Sequence, residues 1–456
     1  MAEQGGLIDG GGLDQDTIAA IATPAGKGGV AIIRLSGGLS WSVAQSLCGR
    51  ALQARTPALC TFKHQNDIID QGLVLLFKGP HSFTGEDVAE LHCHGGVVIT
   101  SMLLDACLAM GARMARPGEF SERAFMNNKL DLAQAEGLAD LIDAPTRQAA
   151  RQAAASLRGA FSEAVNTLGN ALLQIRIYIE AAIDFPEEEG DFLSDEGIRG
   201  QLSDTLTALT ELIANAQQGA LMSKAAKVVL TGKPNVGKSS LLNQLARDQI
   251  AIVTDVPGTT RDVIKQAINL GGLILEFADT AGIREASDII ELEGIQRARK
   301  ALDTADLIIR VIDDSEKMEG ETEQLPTGVP VIHVLNKIDL SNRPAGAQPA
   351  SGVTTMAVSA ATGAGISALE SAILAALGLS TDTGITPFSA RERHVSILQA
   401  THAILKEGIA QFNQTGAGEI LAEDLRRAHD TLGEITGVVG VDALLGEIFS
   451  SFCIGK

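Results

Sequence analysis

Residues 232–239, Gly-Lys-Pro-Asn-Val-Gly-Lys-Ser, follow an apolar run and fit the spacing G-x-x-x-x-G-K-[ST]. In such a loop the glycines let backbone N–H groups converge on phosphates, and the lysine, here Lys238, reaches the terminal two. The hydroxyl of Ser239 is a ligand for Mg²⁺. A chance match in a chain of this length is on the order of a few per cent from average composition. The interpretation therefore depends on further motifs.

Three such motifs follow in order along the chain. Asp279-Thr-Ala-Gly282 ends a strand, where a carboxylate can hold the water shell of the metal. Asn336-Lys-Ile-Asp339 follows another strand, and the Asp339 carboxylate can accept from N1–H and the 2-amino group of guanine, a donor pair that adenine lacks. Ser359-Ala360 then closes the base pocket. Together the four motifs predict a site for GTP with Mg²⁺.

Residues 251–263, AIVTDVPGTTRDV, lie between the first two motifs and predict a switch loop. Thr260 would supply a second hydroxyl for Mg²⁺ and be ordered only when the γ-phosphate is present. The predicted GTP-binding residues are Asn235, Val236, Gly237, Lys238, Ser239, Ser240, Thr254, Thr259, Thr260, Asp279, Thr280, Ala281, Gly282, Asn336, Lys337, Asp339, Ser359 and Ala360. The residue two after Ala281 is Ile283, whereas many GTPases carry there a glutamine that orients the attacking water.

The elements that position these motifs predict a doubly wound parallel sheet, because apolar strands alternate with helix-like segments. The predicted strands are Lys227–Leu230, Leu273–Ala278, Leu307–Ile312, Val331–Leu335 and Thr354–Val358. Before them, residues 14–115 mix β-like runs (Val30–Leu35, Gly72–Phe77) with a helix near 98–110, which indicates an α/β or α+β domain.

Helical texture flanks the sheet segment on both sides. An apolar stripe from Leu157 to Ile179 predicts one long helix, and a second is predicted at about 195–217. Both helices and the helical C-terminal segment lack a partner, so we expect them to form one bundle, with the sheet domain inserted. Three independent domains in a row are the alternative. The predicted ranges are a disordered leader 1–13, an N-terminal domain 14–120, a helical domain 121–220 plus 384–456, and a GTPase domain 225–380.

The bulk composition is that of an ordinary soluble protein, with 45% hydrophobic and 20% charged residues in 456. A net charge of −20 argues against a general electrostatic grip on nucleic acid. The five cysteines show no C-x-x-C pairing, and no apolar run is long enough for a membrane span. These features predict a cytoplasmic protein without a disulfide framework or a zinc site. The sequence His92-Cys93-His94 invites a metal interpretation, but neighbouring residues alternate faces on a strand.

The chain resembles the TrmE family of tRNA modification GTPases, within the TrmE-Era-Septin-like group, over residues 14–456. The motifs that carry the resemblance are 236–240, 254–261, 83–87, 90–96, 115–123, 129–136 and the final Cys453-Ile-Gly-Lys456. The resemblance implies a multidomain α/β protein with an N-terminal folate-binding domain, a helical domain in two chain segments and an inserted P-loop GTPase domain. It also implies a homodimer formed through the N-terminal domains.

The implied activity is GTP-dependent tRNA modification together with the FAD-carrying flavoprotein MnmG (GidA), in a heterotetramer-type complex. An aminomethyl-type group, commonly carboxymethylaminomethyl, is added to C5 of the wobble uridine (position 34) of certain tRNAs. The one-carbon unit comes from a tetrahydrofolate derivative, in the 5,10-methylene or 5-formyl form. Matching motif positions imply that the folate contacts are Arg34, Glu90, Lys129 and Lys456. Cys453 is a possible nucleophile or redox thiol, although a lone cysteine is more often structural.

The resemblance also implies two replacements for the glutamine absent at Ile283. A K⁺ ion would stand where an arginine finger would, held by the Asn235 side chain and by oxygens of Thr254, Val256 and Thr259. Glu291, twelve residues after Asp279, would position the water and be the catalytic residue. Glu293 is the alternative for that role, and both glutamates could instead be solvated charges on a helix face.

Two other functions compete with this interpretation. The first is a GTPase switch in ribosome assembly, since such proteins carry similar nucleotide motifs. It would be expected to carry an appended basic domain, in place of the CIGK tail and the Arg34, Glu90 and Lys129 set. The second is a folate-dependent aminomethyl transferase without GTP regulation, which the four nucleotide motifs argue against.

Overall fold

The computed structural model describes residues 16–65, 67–184, 196–246, 266–279, 301–315, 325–349, 353–379, 387–439 and 442–455. The described residues up to Glu136, together with those from Thr436 onward, form one compact unit, called here the N-terminal unit. Gly137–Ile435 form the second, called here the central unit. The predicted leader, 1–13, lies outside the described residues. In the described part of the chain, no helix is both long enough and apolar enough to cross a membrane.

The N-terminal unit contains a mixed six-stranded sheet in the order β3-β4-β5-β2-β1-β6. Its strands are β1 Ile18–Ile21, β2 Gly28–Ser36, β3 Ala58–His64, β4 Asp67–Phe77, β5 Val88–Gly95 and β6 Arg113–Met114. Neighbouring strands run antiparallel, except that β1 and β6 are parallel. The sequence-based expectation of strands at Val30–Leu35 and Gly72–Phe77 is confirmed.

Helices cover one face of this sheet and frame its end. They are α1 Ser40–Cys48, α2 Val97–Ala109 and α3 Glu119–Met126. α1 and α2 pack on alternate, buried positions such as Ile33, Phe62 and Leu91. This alternation of buried and accessible residues is expected of an antiparallel sheet with one covered face. The other face, called here the outer face, therefore carries Arg34 and Glu90.

The central unit contains a seven-stranded sheet in the order β12-β13-β11-β10-β7-β9-β8. Its strands are β7 Ala226–Thr231, β8 Gln266–Leu270, β9 Leu273–Asp279, β10 Leu307–Asp313, β11 Val331–Asn336, β12 Gly346–Gln348 and β13 Thr354–Ala357. The five inner strands are parallel, and β8 and β12 are antiparallel at the edges. The predicted strands thus match the observed ones closely.

In the described part of residues 132–433, the helices are α4 Leu132–Asp143, α5 Arg147–Leu157, α6 Ala160–Asp184, α7 Glu196–Ser223, α8 Lys238–Ala246, α9 Ile338–Ser341, α10 Ile366–Ala376, α11 Glu392–Thr415 and α12 Gly418–Gly433. α6 and α7 precede the sheet segment and α11 and α12 follow it. α7 packs on α11, and α6 packs on α12. The sheet segment is therefore an insertion within one helical bundle, as the sequence predicted.

Two details of the helices differ from the sequence-based expectations. The apolar stripe does not lie on one helix, because Leu157 ends α5 and Gly159 adopts φ 98° before α6 begins. A positive φ is where glycine interrupts a helix without a steric penalty. The last helix, α13 Asp442–Ser450, packs on α3 in the N-terminal unit instead of on the bundle. The predicted domain boundaries at 120, 220 and 384 remain predictions.

Candidate functional site

The loop between β7 and α8 carries the first nucleotide motif. Gly232, Asn235 and Gly237 all adopt positive φ, at 138°, 63° and 95°. A Cβ on Gly232 would lie 2.2 Å from the Val311 carbonyl oxygen, so no other residue fits there. Backbones that alternate through such conformations turn successive N–H groups toward a common point, which makes a concavity for anions. The loop is therefore shaped for phosphate by its glycines, as the motif predicts.

Lys238 opens α8 and is buried to 7% exposure. Its ammonium group donates to the carbonyl oxygens of Gly232 and Lys233 at 2.8 and 2.9 Å. Those carbonyls belong to the same loop, so the charge is held at the centre of the concavity. Ser239 and Ser240 lie in the first turn of α8 and are exposed.

Asn336 connects the phosphate-binding loop with the base-recognition motifs. Its side chain is 2% exposed, and its amide nitrogen donates to the Val236 carbonyl oxygen at 2.8 Å. Its amide oxygen accepts from the Ala360 backbone N–H at 3.0 Å. Asn336 thereby joins three of the predicted motifs, one of them 100 residues and the other 24 residues away in the sequence, through one side chain.

Asp339 and Ser359 form the neighbouring contact. The Ser359 hydroxyl donates to Asp339 Oδ1 at 2.5 Å and also accepts from the Thr362 backbone N–H. Ser359 is completely buried. One carboxylate oxygen of Asp339 is thus fixed by the protein, which orients the group that the motif assigns to guanine.

Sequence reasoning missed the side chain that holds Lys337. The Lys337 ammonium lies 2.6 Å from Asp313 Oδ2, and Asp313 is 6% exposed at the end of β10. Burial opposes ionisation of Asp313, but the hydrogen bonds from Lys337 and Ser315 outweigh it and lower the pKa of this carboxyl. The sequence signal for this contact was weak: Asp313 is a carboxylate at the end of β10, and β10 neighbours β11, the strand that leads into the Asn336-Lys-Ile-Asp339 motif.

Part of the predicted nucleotide site lies outside the described residues. This part comprises Thr254, Val256, Thr259, Thr260, Thr280, Ala281, Gly282, Glu291 and the alternative Glu293. Asp279 is the last residue of β9, and its backbone pairs in parallel register with Leu230 of β7. It therefore follows the strand next to the one that leads into the phosphate-binding loop.

A second predicted site lies at one end of the N-terminal sheet. Arg34 and Glu90 face each other across β2 and β5, with Arg34 Nε 3.0 Å from Glu90 Oε1. The Arg34 guanidinium also donates to the Gly455 carbonyl oxygen at 3.4 Å and lies 5.7 Å from the Phe83 ring centre. The C-terminal tail thus reaches Arg34, whereas Lys456 lies outside the described residues.

Close packing fixes this tail. A Cβ on Gly455, which has φ 94°, would lie 2.5 Å from the Ile21 carbonyl oxygen. Phe449 and Phe452 are buried and contact each other with ring centres 5.4 Å apart, and Phe449 lies 6.4 Å from Phe125 of α3. The two phenylalanines anchor the tail in the N-terminal unit, where the sequence interpretation had placed them in the bundle. Cys453 is exposed, and its carbonyl oxygen accepts from Gly118 N–H.

Lys129 follows α3 and is exposed. A Cβ on Gly85 would lie 3.4 Å from Lys129 Cγ, which places the lysine stem beside the loop that carries Phe83. That loop is tied to α3, because Asn127 donates to the Thr84 carbonyl oxygen at 2.7 Å. Arg34, Glu90 and the tail are therefore joined in direct contacts, and Lys129 lies at the adjoining loop.

Arg123 is at the centre of an ion network that supports this site. The guanidinium, 6% exposed, lies 2.7 Å from Asp16, 3.1 Å from Glu86 and 3.2 Å from Glu119. Glu119 also pairs with Arg113 at 2.6 Å. Burial by itself would raise the pKa of Glu119. Its arginine partners and the hydrogen bond from the Arg116 backbone N–H outweigh burial and lower this pKa from 4.5 to about 2. Sequence reasoning did not identify this network, because Asp16 and Glu86 are far from Arg123 in the chain.

The histidines of the His92-Cys93-His94 segment have carboxylate partners. His94 Nδ1 lies 2.8 Å from Asp70 Oδ1, and His92 Nε2 lies 3.6 Å from Glu90 Oε2. Cys93 is buried in the core beneath the sheet. The two histidines alternate with the cysteine along β5, as expected for a strand.

Family models and full-length relatives assign nearly the whole chain to the same protein family. The family model described as "GTP-binding protein TrmE N-terminus" matches residues 17–129, and the model "MnmE helical domain" matches residues 132–453. The chain is 48% identical to the tRNA modification GTPase MnmE of Pseudomonas fluorescens over 455 residues, which covers 97% of this chain and 100% of the relative. It is 49% identical to that of Pseudomonas aeruginosa over 451 residues, covering 97% and 99%. The relative from Nitrosomonas eutropha is 48% identical over 449 residues, covering 97% and 100%. With these matches and the two sites described above, the chain belongs to the MnmE (TrmE) family of tRNA modification GTPases.

Proposed function

We propose that this chain hydrolyses GTP with Mg²⁺ as part of the modification of tRNA. In this proposal it acts with the flavoprotein MnmG (GidA), which carries FAD, in a heterotetramer-type complex. An aminomethyl-type group, commonly carboxymethylaminomethyl, is added to C5 of the wobble uridine (position 34), with the one-carbon unit from a tetrahydrofolate derivative (5,10-methylene or 5-formyl). The observation that carries the GTP part is the Asn336 side chain, which joins the phosphate-binding loop to the Ala360 backbone.

In the proposed GTP site, Lys238 holds the terminal phosphates and Asp339 reads guanine. The Lys238 ammonium donates to two neutral carbonyl oxygens of the loop, and a phosphate is a stronger acceptor for the same charge. The Asp339 carboxylate, fixed by Ser359, accepts from N1–H and the 2-amino group. Asn235, Val236 and Gly237 lie on the same phosphate-binding loop, and Ser239 and Ser240 follow it in the first turn of α8.

The residues present also suit the two cations. Ser239, in the first turn of α8, supplies a hydroxyl for Mg²⁺, and Thr260 supplies the second. Asn235, exposed on the loop at φ 63°, offers a side-chain oxygen for K⁺, together with Thr254, Val256 and Thr259. All are oxygen ligands, which suit hard cations. When bound, these cations neutralise charge that develops on the transferred phosphate.

Glu291 is proposed to position the attacking water, with Glu293 as the alternative. Ile283 occupies the position at which many GTPases carry a glutamine, and a hydrocarbon side chain cannot orient water. In this proposal a carboxylate from elsewhere in the chain supplies that function.

The folate derivative is proposed to bind at Arg34, Glu90, Lys129 and Lys456. Support comes from the tail, because the Gly455–Arg34 contact brings the last residues of the chain to the outer face of the N-terminal sheet. A cationic cluster suits the carboxylates of a glutamyl tail, and a carboxylate suits the guanidine-like edge of a pterin. Glu90 already pairs with Arg34, so the ligand would share or replace that ion pair. Cys453, exposed and two residues before Gly455, is a candidate thiol for the chemistry.

The proposed assembly is a cytoplasmic homodimer formed through the N-terminal units. The edge strand β3 and its neighbour β4 expose large apolar side chains, with Leu59 at 61%, Ile68 at 66% and Leu73 at 43%. Apolar groups on an uncovered sheet favour burial against a partner. With a net charge of −20, the chain leaves much of the tRNA-binding surface to the flavoprotein.

The decisive test compares GTP hydrolysis in equal concentrations of KCl and NaCl, for the wild type and Asn235→Ala. We expect K⁺ to raise the wild-type rate by about tenfold or more, since charge neutralisation at the phosphates is worth several kcal/mol. Asn235→Ala should lose this stimulation. Asn128→Ala is a matched control, because Asn128 is also an exposed asparagine with positive φ, at 54°, but belongs to the N-terminal unit, and this variant should keep the stimulation.

Equal wild-type rates in the two salts would contradict the K⁺ site. They would favour a switch that waits for an external activating protein. Binding of 5-formyltetrahydrofolate to the full chain, measured by calorimetry, tests the folate site independently, and no heat of binding would refute it.

A further inference from the structure

Two adjacent carboxylates end β10 and hold the segment that follows β11. Asp313 lies 2.6 Å from the Lys337 ammonium. Asp314 accepts from Arg343 Nε at 2.9 and 2.8 Å and from the Ser341 hydroxyl, and its own N–H donates to the Asn336 carbonyl oxygen. The side chains of both carboxylates are nearly inaccessible, at 6% and 4% exposure. Segment 336–343 is thus held at both ends by one neighbouring strand.

The held segment adopts a backbone that costs energy. Lys337 has φ 67° and Asn342 has φ 57°, and they enclose the four-residue helix α9, Ile338–Ser341. A left-handed residue other than glycine costs roughly 1–2 kcal/mol. Such residues persist only where their surroundings impose the conformation. Asp313 and Asp314 supply that constraint, since each bonds a side chain at one end of the turn.

The Asp313 side chain is itself rigidly oriented. Its Oδ1 accepts from the Ser315 backbone N–H at 3.0 Å and from the Ser315 hydroxyl at 2.6 Å, which leaves Oδ2 for Lys337.

The second carboxylate, Asp314, is also ionised. Burial alone would raise the pKa of Asp314, but its hydrogen bonds from Arg343 and Ser341 outweigh burial and lower the pKa. Both carboxyls are therefore ionised at neutral pH and able to hold cationic partners.

The arrangement also directs the Lys337 side chain. In the sheet, β10 lies between β11 and β7, and β7 leads into the phosphate-binding loop. A lysine that leaves β11 and bonds a carboxylate at the end of β10 must extend its methylene stem toward that loop. The stem then lies between the phosphate-binding loop and Asp339, where a flat base would rest on it.

We propose that Asp313 and Asp314 are positioning residues that set the guanine specificity of this site, acting through Lys337 and the 336–343 turn. The inference rests on the proposed GTP site and deepens it. Asp313 holds Lys337 at the start of the turn and Asp314 holds Arg343 at its end, so that Asp339 meets the base edge. Neither carboxylate touches the nucleotide.

The test uses the full chain with Mg²⁺ and compares its affinities for GDP and IDP, whose base lacks the 2-amino group. We expect Asp313→Asn to lower the GDP-to-IDP affinity ratio by roughly tenfold, because the charge-assisted hydrogen bond from the 2-amino group of GDP to Asp339 is lost, and IDP has no 2-amino group to lose. Asp314→Asn should lower the ratio by a smaller factor. Phosphate binding, common to both nucleotides, should change little.

Asp306→Asn is the matched control. Asp306 directly precedes β10, at the opposite end of the same strand, and accepts from the Lys227 backbone N–H at 2.8 Å. It should leave the affinity ratio unchanged even if it lowers the melting temperature. Ser315→Ala, which removes one hydrogen bond to Asp313, is a milder variant should Asp313→Asn fail to fold, and it should shift the ratio in the same direction.

Two results would overturn the inference. A wild-type affinity ratio in both Asp313→Asn and Ser315→Ala would show that the carboxylate does not set specificity. An equal loss of GDP and IDP affinity would assign it a purely structural role. If the wild type bound neither nucleotide, the proposed GTP site itself would fall, which is a different outcome from either.

Discussion

The two candidate sites of this chain are assembled in opposite ways. At the edge of the central sheet, the site residues follow the carboxyl ends of neighbouring parallel strands and occur as short contiguous motifs. On the N-terminal sheet, Arg34, Glu90 and Gly455 come from two antiparallel strands and the far end of the chain. A parallel sheet gathers its strand ends at one edge, so local motifs suffice there. An antiparallel face gathers residues only through pairing and packing.

This difference predicts where each site is vulnerable. The nucleotide site should respond to changes in its own motifs. The outer-face site should also respond to residues that never approach a ligand, because its parts are held together by the ion network and the tail.

The largest effect is expected for Arg123→Met. It leaves Asp16, Glu86 and Glu119 facing one another without their common cation. Breaking a buried ion pair costs about 3–5 kcal/mol. The melting transition of the N-terminal unit should fall, while GDP affinity stays at the wild-type value. The exposed Arg426→Met on α12, which pairs with Glu423 at the surface, is the control and should leave the transition in place. Loss of GDP affinity in Arg123→Met would contradict the independence of the two sites.

The next effect concerns guanine recognition. Asp339→Asn replaces a double acceptor with a group that also donates, which suits xanthine better than guanine. Affinity for GDP should fall by about 100-fold, or about 3 kcal/mol, and affinity for XDP should rise. Competition binding against a fluorescent nucleotide measures both. An unchanged preference for GDP would mean that Asp339 does not read the base.

A somewhat smaller effect, about 2 kcal/mol at neutral pH, is expected for Glu119→Gln, because an amide replaces charge-assisted bonds to Arg113 and Arg123. The pKa of Glu119 is lowered from 4.5 to about 2 in the folded chain. Its stabilising contribution is therefore complete above pH 4.5 and is lost as the pH falls toward 2. The free energies of unfolding of the wild type and Glu119→Gln, measured by denaturation between pH 4.5 and about 2, should converge as the pH falls. A constant difference would place the origin of the effect elsewhere.

The smallest effect is expected for Gly455→Ala. The φ of 94° and the 2.5 Å approach to the Ile21 carbonyl oxygen disfavour any side chain, at a cost of roughly 1–2 kcal/mol. The tail should withdraw from Arg34, and 5-formyltetrahydrofolate should bind about tenfold more weakly, with GTP hydrolysis unchanged. Gly446→Ala in α13, where an added Cβ meets no atom within 4 Å, is the matched control. Wild-type folate affinity in Gly455→Ala would separate the tail from the folate site.

The five parallel strands of the central sheet were predictable within about a residue, since each is a short apolar run that ends in a polar motif, whereas the antiparallel edge strands β8 and β12 were not predicted. The bundle was predictable as well, from helices that had no partner in their own segment. The helix break at Gly159 was not predictable, because the spacing of apolar residues continues across Gly159 although the helical backbone is interrupted there.

Residue types and spacing were enough to predict the class of ligand at the nucleotide site. Spacing in a P-loop and in the Asn336–Asp339 motif is set by local backbone geometry, and local geometry is encoded by neighbouring residues. The folded structure was needed to show that Asp313 holds Lys337, that Arg123 binds three carboxylates, and that the last helix packs on α3. Charge pairs and packed aromatic rings form between residues distant in the chain, and nothing in the local spacing records which of several possible partners is brought within reach.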